Sequence, residues 1–487
     1  MSTERPAIEP IRTDFRLQFA TDEQLDMLQE GTLRILEEVG VKFPSEKALR
    51  IFNDHGAHVD KDSGVVRIPR DLVMKALSSV PRYFKLGARI GECDLQLQEG
   101  VTYFCPDGCG VETIDFETRQ RRPSCKDDVG KMAHIADYLS AMAFYWPMVS
   151  AQDYGITAPL HEMDAAWNNT VKHVQSETIM GEKPCRYAVE MAKVLTGSAE
   201  ELRRRPIFSL TVCTIAPLVQ DTEGIEGALV LAEAGVPVGF LAMPTLGTTA
   251  PATLPGAYVV GDAEVISAIV LMQLAHPGAP VFHSMMHAWA DPRSGNYVSY
   301  SLDCRGRYIV VDIAHYWQIP CFGGAYGTDS PTAGNWQSAA EVALDPFLIG
   351  LAGAEFVTGI GLSSTYTLLY PESIILDADI YHRARYQLMR TDINPETLAL
   401  DVIAAVGPGG HYLGQKHTRQ HMRTSLKPAI THEVGGDGKY RDPVDAARDQ
   451  VGWILKNYQP EPLEETKRKE LTRILAAADR ELGGGRK

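Results

Sequence analysis

From about residue 125 onward, short apolar segments alternate with longer segments that have helical periodicity. The apolar segments lie at 143–153, 173–178, 207–215, 236–244, 279–287, 319–325 and 355–361. Near-continuous apolar strands separated by helices are typical of parallel strands that are covered on both faces. Seven such units, with room for an eighth near 372–380, predict an α/β fold of the (β/α)8 TIM-barrel type. The alternative, an open doubly wound sheet, lacks its phosphate-binding fingerprint here.

The pattern changes on either side of the predicted barrel. Residues 21–56 predict two helices, and Thr21 followed by Gln24 predicts a capping box for the first. Residues 84–118 predict a β-rich stretch, and residues 440–487 predict polar helices. These changes divide the chain into an N-terminal α+β cap at 1–124, the barrel at 125–430 and a C-terminal helical extension at 431–487.

Composition and charge narrow the class of protein. The chain has 487 residues, of which 45% are hydrophobic, and its net charge is −15. This charge argues against nucleic acid or an anionic membrane as a partner, because both select basic patches. No uninterrupted apolar run approaches the roughly 20 residues of a membrane span, and the polar N-terminus shows no signal peptide. The eight scattered cysteines predict a reduced, cytoplasmic protein without a disulfide framework.

In a barrel of this type, the active site lies at the carboxyl ends of the strands. The pattern places there Asp153, Tyr154, Gln175, Glu177, Thr214, Met243, His283, His287, Trp289, Tyr326, Asp329, Trp336, Ser363, Tyr366 and Tyr370. The set is rich in aromatic side chains and poor in any nucleophile–base pair. Any one of these aromatic residues alone predicts only lid packing. Several of them at one mouth with few charges suit a quaternary ammonium ion, held by cation–π attraction.

Three other motifs have plainer interpretations. His283 and His287 of HSMMH are four residues apart but lie at a strand end with no obvious third ligand nearby in sequence, which favours pocket lining over a metal site. GPGGHYLG at 407–414 follows a helix, so a helix C-cap and turn is favoured over a phosphate loop. KHTRQH at 416–421 favours a solvated helix face. We therefore expect no metal site.

Two long stretches resemble the trimethylamine:corrinoid methyltransferase family: PCFGGAYGTDSPTAGNWQSAAE and LAGAEFVTGIGLSSTYTLLYPESIILDAD. The likeness extends through TLRILEEVGVKFPSEKALRIFNDHGAHVD, RRRPIFSLTVCTIAPL, GDAEVISAIVLMQLAHPGAPV and VGPGGHYLGQKHTRQH, and so covers nearly the whole chain. The fold that the resemblance implies is a (β/α)8 barrel, which agrees with the pattern above.

The chain departs from this family at one position. Trimethylamine enzymes of the family have pyrrolysine where this chain has Gly327, between Tyr326 and the Thr328–Asp329 pair. Members without pyrrolysine look like methyltransferases for quaternary amines such as glycine betaine, proline betaine, carnitine and γ-butyrobetaine. A quaternary ammonium ion releases a neutral tertiary amine when its methyl group is attacked, so no general acid or base is needed. The resemblance therefore implies methyl transfer by positioning, with glycine betaine as the first choice of substrate.

The resemblance and the predicted strand ends together predict which residues form the site. Gly327 is expected at the pyrrolysine-equivalent position. The candidates for the aromatic cage are Tyr326, Trp336, Trp289 and Tyr366, and the substrate carboxylate would be received by His283, His287 or a nearby arginine. The residues expected to orient the site are Asp329, Gln337, Glu341 and Glu372. No DxHxxG motif is present, so the corrinoid (cobalamin) is expected on a separate small protein that docks over the mouth of the barrel. A second enzyme would pass the methyl group on, and the chain itself is expected to form a homo-oligomer.

Three alternatives stay open. The first is a different barrel enzyme for a carboxylated or porphyrin-like substrate, which predicts an arginine-lined mouth that the strand ends do not show. The second is a non-catalytic betaine-binding protein on the same fold. The third is the use of trimethylamine or another methylamine despite Gly327.

Overall fold

The fold alternates α-helices with short, mostly parallel strands. The structure, a computed structural model, describes residues 2–108, 110–298, 306–324, 327–425 and 429–484. The strands are β1 (Ile11–Arg12), β2 (Val41–Lys42), β3 (His58–Asp60), β4 (Val65–Arg67), β5 (Lys85–Leu86), β6 (Leu95–Gln96), β7 (Val101–Pro106), β8 (Glu112–Ile114), β9 (Arg121–Pro123), β10 (Val174–Ser176), β11 (Phe208–Cys213), β12 (Val238–Ala242), β13 (Thr245–Leu246), β14 (Val281–Met285), β15 (Ala288–Ala290), β16 (Tyr297–Val298), β17 (Phe322–Gly324) and β18 (Phe356–Ile360). The helices are α1 (Asp22–Arg34), α2 (Glu46–Asp54), α3 (Arg70–Leu77), α4 (Lys126–Tyr138), α5 (Ala158–Asn169), α6 (Glu182–Thr196), α7 (Ala199–Arg204), α8 (Thr222–Ala234), α9 (Leu254–Ala275), α10 (Ile309–Tyr316), α11 (Trp336–Val342), α12 (Asp345–Ala352), α13 (Pro371–Leu388), α14 (Pro395–Leu398), α15 (Leu400–Val406), α16 (Lys416–Ser425), α17 (Pro443–Asn457) and α18 (Glu465–Leu482).

Two four-stranded sheets contain most of the predicted strands. One has the order β10-β11-β12-β14, and all of its pairs are parallel. The other has the order β1-β7-β18-β17, in which only the two-residue β1 is antiparallel. The strands β10, β11, β12, β14, β17 and β18 each lie inside a predicted apolar segment, so the predicted α/β alternation is confirmed.

Backbone contacts link the two sheets on both sides. His283 of β14 forms a parallel bridge with Cys321, the residue before β17. On the other side, Ala143 N donates to Phe104 O of β7 at 2.7 Å, and Tyr145 N donates to His173 O, just before β10, at 2.8 Å. The strands are nevertheless arranged as two sheets and not as one continuous closed sheet, so barrel closure stays a prediction.

The prediction of a strand near 372–380 is wrong, because these residues lie within α13. Pro371 suits the first turn of a helix, where its missing N–H leaves no hydrogen bond unmade. Most of α13 is buried, and a buried helix has the same continuous apolar character as a buried strand. The further parallel strand is instead β7, in the segment predicted as the cap.

A cluster of aromatic side chains fills the space between the sheets at the amino-terminal ends of the strands. The ring centroid of Phe356 lies 4.7 Å from that of Phe322, 4.9 Å from that of Phe282 and 6.0 Å from that of Phe144. Leu86 and other residues of the β5–β6 hairpin belong to the same buried cluster. This packing closes the amino-terminal side and leaves the carboxyl ends of the strands as the side for a site.

The N-terminal helices α1, α2 and α3 all pack against α9. The predicted capping box of α1 is confirmed: Gln24 N donates to Thr21 Oγ1 at 3.3 Å, and Thr21 N donates to Gln24 Oε1 at 2.9 Å. Among the described residues, only α9 has the length and hydropathy of a membrane span. The apolar window of α9 is 83% buried, as expected of a core helix.

The C-terminal helices belong to the folded body. α17 packs against α13 and α4, and α18 packs against α6 and α5. The domain boundaries at 124 and 430 stay predictions. The described cysteines, Cys93, Cys105, Cys125, Cys185, Cys213 and Cys321, are all free thiols.

Candidate functional site

Two carboxyl groups and a thiol lie at the carboxyl ends of three strands. Asp107 directly follows β7, Glu177 directly follows β10, and Cys213 ends β11. Burial, followed by the negative charges of Asp107 and Glu162, raises the pKa of Glu177 to about 8. Burial, Glu177 and Asp107 likewise raise the pKa of the Cys213 thiol. Burial is the larger cause of both shifts, and the neighbouring carboxylates add negative potential around Glu177 and Cys213.

Glu162 of α5 supports the loop that follows β10. Its Oε1 accepts a hydrogen bond from Ala151 N at 3.0 Å, and its Oε2 accepts one from the hydroxyl of Thr178 at 2.7 Å. Burial raises the pKa of Glu162. Because Thr178 is the neighbour of Glu177 in sequence, these contacts fix the backbone that presents Glu177.

Gly327 lies in the loop after β17 and has a φ of +114°. Glycine adopts this region readily, whereas residues with a Cβ rarely do. Glu341 of α11 holds the next residues, because its Oε2 accepts hydrogen bonds from Asp329 N at 2.9 Å and from the Thr328 hydroxyl. Glu341 thus positions the loop through its backbone.

The turn Ser364–Tyr366 has a strained backbone. All three residues have positive φ, at 53°, 48° and 73°, and each such non-glycine residue costs about 1–3 kcal/mol. Ser364 N donates to Ser330 O at 2.8 Å, and the Thr365 hydroxyl donates to Asp329 Oδ1 at 3.1 Å. The loop after β17 therefore holds the turn after β18 in this conformation, and Asp329 is one of the contacts that do so.

Tyr366 stands at the end of this turn beside a second tyrosine. Its hydroxyl donates to Met286 Sδ at 3.3 Å, and its ring centroid lies 5.9 Å from that of Tyr297. Met286 directly follows β14, and Tyr297 begins β16. The strained turn thus places an aromatic pair near the carboxyl end of β14.

His283 faces away from this region. Its side chain is fully buried, and its Nε2 lies 2.9 Å from Asp262 Oδ1 of α9. The other oxygen of Asp262 accepts hydrogen bonds from the Thr32 hydroxyl at 2.7 Å and from Trp317 Nε1 at 2.9 Å. His283 therefore belongs to a polar cluster between β14 and α9.

Trp289 lies in β15, the central strand of a small sheet of order β13-β15-β16, and His287 directly precedes that strand. β13 follows β12 and β15 follows β14, so this sheet stands over the carboxyl ends of both strands. The His287 ring lies 5.5 Å from Tyr258 of α9 and 5.3 Å from Trp289, by ring centroids. The second distance shows that these two candidates contact each other. His287 is buried and Trp289 is half-buried.

The two other candidates near the loop after β17 lie at the surface. Trp336 is the first residue of α11 and is 88% exposed. Gln337 Nε2 donates to Glu341 Oε1 at 3.0 Å. The structure therefore does not bring Trp336 together with Tyr366.

Glu372 is fully buried at the start of α13. Its Oε1 accepts a hydrogen bond from Arg119, in the turn between β8 and β9, and the two side chains form an ion pair. Its Oε2 has no hydrogen-bond partner among the described residues. Glu372 therefore ties the β8–β9 hairpin to α13.

The structure adds residues that the sequence did not single out. Tyr326, predicted for the cage, lies outside the described residues. Asp107 was missed because β7 was assigned to the cap, and Tyr297 was missed because β16 is only two residues long. Glu177 is among the strand-end residues, and a search for carboxyl groups directly after predicted strands would have selected it.

The structure thus has an α/β fold with acidic and aromatic side chains at the ends of its parallel strands. The profile of the family described as "Trimethylamine methyltransferase (MTTB)" matches residues 2–483. The chain belongs to this family and is a methyltransferase.

The chain is also similar to curated methyltransferases over nearly its full length. The chain is 31% identical to trimethylamine methyltransferase MttB of Desulfitobacterium hafniense, over 97% of this chain and 96% of that protein. It is 29% identical to trimethylamine methyltransferase MttB2 of Methanosarcina mazei, over 95% of each chain. It is 28% identical to the glycine betaine methyltransferase of D. hafniense, over 95% of this chain and 97% of that protein.

A solved structure shows a more distant likeness. The Methanosarcina barkeri monomethylamine methyltransferase MtmB matches with a TM-score of 0.47 and 11% identity, over 90% of this chain and 93% of that chain. A likeness at this level adds nothing about the activity.

Proposed function

We propose that the chain transfers a methyl group from a quaternary amine, glycine betaine first among them, to the Co(I) of a separate corrinoid protein. Methyltransferases of this family act with corrinoid proteins, and the reduced corrinoid supplies the nucleophile that takes the methyl group. The amine leaves as a neutral tertiary amine. The residues of this chain are required to bind, desolvate and orient the ammonium ion.

The observation that supports this proposal is the backbone at Gly327. Its φ of +114° suits glycine and disfavours any residue with a side chain, so a large catalytic side chain does not fit there without strain. Methyl transfer from a quaternary ammonium ion needs no proton donor for its leaving group. The absence of a reactive side chain at this position is therefore compatible with turnover of a quaternary amine.

The charges at the strand ends match such a substrate. Asp107 and Glu177 supply negative potential, and a bound cation favours the ionised form of Glu177, whose pKa of about 8 lets it ionise near neutral pH. Tyr366 and Tyr297 offer aromatic faces to the methyl groups. These four residues are our proposed cation site, with Tyr326 and Trp289 kept as further cage candidates.

A betaine also has a carboxylate, and Arg121 is our candidate to receive it. The guanidinium of Arg121 lies 3.5 Å from Ser364 Oγ and 3.4 Å from Thr367 Oγ1, on either side of Tyr366. It is partly exposed and is also paired with Glu112. The buried His283, bound to Asp262, is a weaker candidate for this role.

We also infer that the parallel strands close into an eight-stranded barrel. Its members would be β7, residues 143–149, β10, β11, β12, β14, β17 and β18, in that order. The bridge between His283 and Cys321 and the hydrogen bonds around residues 143–145 support this closure. We expect the protein to act in the cytoplasm, with the corrinoid protein docked over the carboxyl ends of the strands.

The test is methylation of free cob(I)alamin, followed by absorbance, with a panel of glycine betaine, proline betaine, carnitine, γ-butyrobetaine and trimethylamine. We expect methylcobalamin from one quaternary amine and none from trimethylamine. Product from trimethylamine alone would support the second candidate function, which the 31% identity to a trimethylamine methyltransferase favours. If the panel gives no methylcobalamin even when the cognate corrinoid protein is added, while a betaine still binds, the proposed methyl transfer from a quaternary amine is wrong.

A further inference from the structure

An indole ring lies on the buried aromatic cluster that closes the amino-terminal side of the strands. It belongs to Trp146, which is 3% exposed and whose ring centroid lies 5.7 Å from that of Phe322. Tyr145 faces outward, because its hydroxyl donates to Val129 O of α4 at 3.0 Å. Successive side chains of an extended segment alternate, so Phe144 and Trp146 both face inward, and Trp146 lies nearer the carboxyl ends of the strands.

The segment that carries Trp146 runs between the strands that end at the two carboxyl groups of the site. Residues 143–145 form backbone hydrogen bonds with β7 on one side and with β10 and the residue before it on the other. β7 is followed by Asp107, and β10 is followed by Glu177. After burial, the negative charge of Asp107 is the largest cause of the raised pKa of Glu177, so the two carboxyl groups are near each other. They therefore lie above Trp146, one on either side.

The edge of the indole ring lies against the backbone that presents Asp107. A Cβ placed on Gly108 would lie 1.8 Å from Trp146 Nε1, so only glycine lets the ring approach this closely. Gly108 directly follows Asp107 in the sequence. Trp146 thus contacts the acidic side of the site as well as the aromatic cluster.

Two features leave room beside the indole ring of Trp146. Met148, the next residue expected to face inward, instead points towards α13: a Cβ placed on Gly361 would lie 3.0 Å from Met148 Cε and 3.2 Å from Ser373 Oγ. Gly324 ends β17, two residues beyond the ring on which the indole packs, and it is half-buried. A Cβ placed on Gly324 would meet no atom of the described residues closer than 3.6 Å. Solvent therefore reaches the interior at the level of the indole.

We propose that Trp146 is the floor of the cation site and holds the quaternary ammonium ion by cation–π attraction, with Asp107 and Glu177 on either side. Tryptophan offers the strongest aromatic face for this attraction, which grows when the ion is desolvated, as it would be at this depth. The inference rests on the function proposed above and adds a substrate-binding residue to the same site. It also gives the site a property that an aliphatic floor lacks, namely a preference for a positive charge over a neutral group of the same shape.

The test is the binding of two probes to the purified full chain by isothermal titration calorimetry, without a corrinoid protein. One probe is glycine betaine, and the other is 3,3-dimethylbutyrate, in which carbon replaces the charged nitrogen. We expect Trp146→Leu to weaken the binding of glycine betaine by about 10- to 30-fold and that of the other probe by less than about 3-fold. Trp146→Phe keeps an aromatic face and is expected to keep the preference for glycine betaine.

The matched control is Trp167→Leu, which removes a fully buried tryptophan of α5 that packs on Phe208. It is expected to leave the ratio of the two affinities unchanged. A second measurement uses the wild-type chain labelled with 5-fluorotryptophan, so it does not depend on the folding of Trp146→Leu. We expect glycine betaine to shift the fluorine resonance of Trp146, assigned with Trp146→Phe, and to leave that of Trp167 in place.

Two outcomes would overturn this proposal and leave the proposed reaction standing. One is equal weakening of both probes in Trp146→Leu, and the other is a Trp146 resonance that glycine betaine does not shift. A wild-type chain that binds neither glycine betaine nor tetramethylammonium, the simplest quaternary ammonium ion, would contradict the proposed substrate class and the role of Trp146 together.

Discussion

At the scale of single residues, Gly327, which the family resemblance aligns with pyrrolysine, has a backbone conformation that disfavours any side chain. Gly327 has a φ of +114°, and the two residues after it are held by Glu341. The glycine is therefore required by the conformation of the loop.

The first prediction follows for Gly327→Ala. The added Cβ at a positive φ should destabilise the loop by about 1–3 kcal/mol and lower kcat/KM for the quaternary amine. Thermal melting and steady-state kinetics measure the two effects. Gly436→Ala is the control, because that glycine has no positive φ and a Cβ there meets no atom within 4 Å. Equal melting temperatures for both variants would contradict the strain at Gly327.

The second prediction concerns the pH dependence that Glu177 imposes. Its raised pKa of about 8 means that the free enzyme gains negative charge as the pH rises through that value. A cation binds the ionised form better, so kcat/KM should rise between about pH 7 and pH 9 and should level off above. Glu177→Gln should flatten this rise and lower kcat/KM above pH 8 by roughly 10- to 100-fold, a loss of about 1.4–2.8 kcal/mol.

The control for Glu177 is the exposed Glu117, whose replacement by glutamine should leave the pH profile unchanged. A wild-type profile without an inflection near pH 8, or one that Glu177→Gln preserves, would remove Glu177 from the cation site. Asp107 would then be the carboxylate to examine.

At the scale of elements, the carboxylate of Asp262 joins α9 to α1, to β14 and to the residue after α10. It accepts hydrogen bonds from Thr32, His283 and Trp317, all in a fully or nearly fully buried setting. A buried donor that loses its acceptor costs about 1–3 kcal/mol, so this cluster stabilises the packing of helix on strand.

The third prediction is that Asp262→Ala lowers the free energy of unfolding by at least about 2 kcal/mol, because three buried donors lose their acceptor. The folded fraction should keep its KM for the quaternary amine, since this cluster faces α9. Denaturant titration and steady-state kinetics separate stability from binding. The control is the exposed Asp62, whose replacement by alanine should stay within about 0.5 kcal/mol of wild type. A raised KM with unchanged stability would return His283 to the substrate site.

At the scale of the whole molecule, the C-terminal extension completes the core. α18 buries Leu471, Ile474, Leu475 and Ala478 where it packs against α6 and α5. Its Asp479 accepts a hydrogen bond from the Thr157 hydroxyl at 2.6 Å and lies 3.1 Å from His161 Nε2. The last helix is thus tied to the middle of the chain by apolar burial and by polar contacts.

The fourth prediction is that Leu471→Ala destabilises the protein by about 2–5 kcal/mol, because the side chain is fully buried and leaves a cavity. Thr472→Ala, on the exposed face of the same helix, should change stability by less than about 0.5 kcal/mol. Thermal melting measures both. Equal effects would mean that α18 is a loosely attached tail.

The sequence alone determined the elements whose signals are local. The capping box of Thr21 and Gln24 and the strands β10, β11, β12, β14, β17 and β18 follow from the local side-chain pattern. The family was also accessible, because its motifs run through nearly the whole chain. These features depend on residues close together in sequence, so one chain is enough to reveal them.

Tertiary structure decided what depends on residues far apart in sequence. It put β7 beside β18, about 250 residues away, and made 372–380 a buried helix. It turned His283 towards Asp262 and left Trp336 at the surface. It also added Asp107 and Tyr297 to Glu177 and Tyr366, which the sequence had already placed at the strand ends. The physical reason is that successive side chains of a strand point to opposite faces of the sheet, and this alternation does not specify which neighbouring element each face contacts. Only the packing of the whole chain determines which neighbour each face contacts.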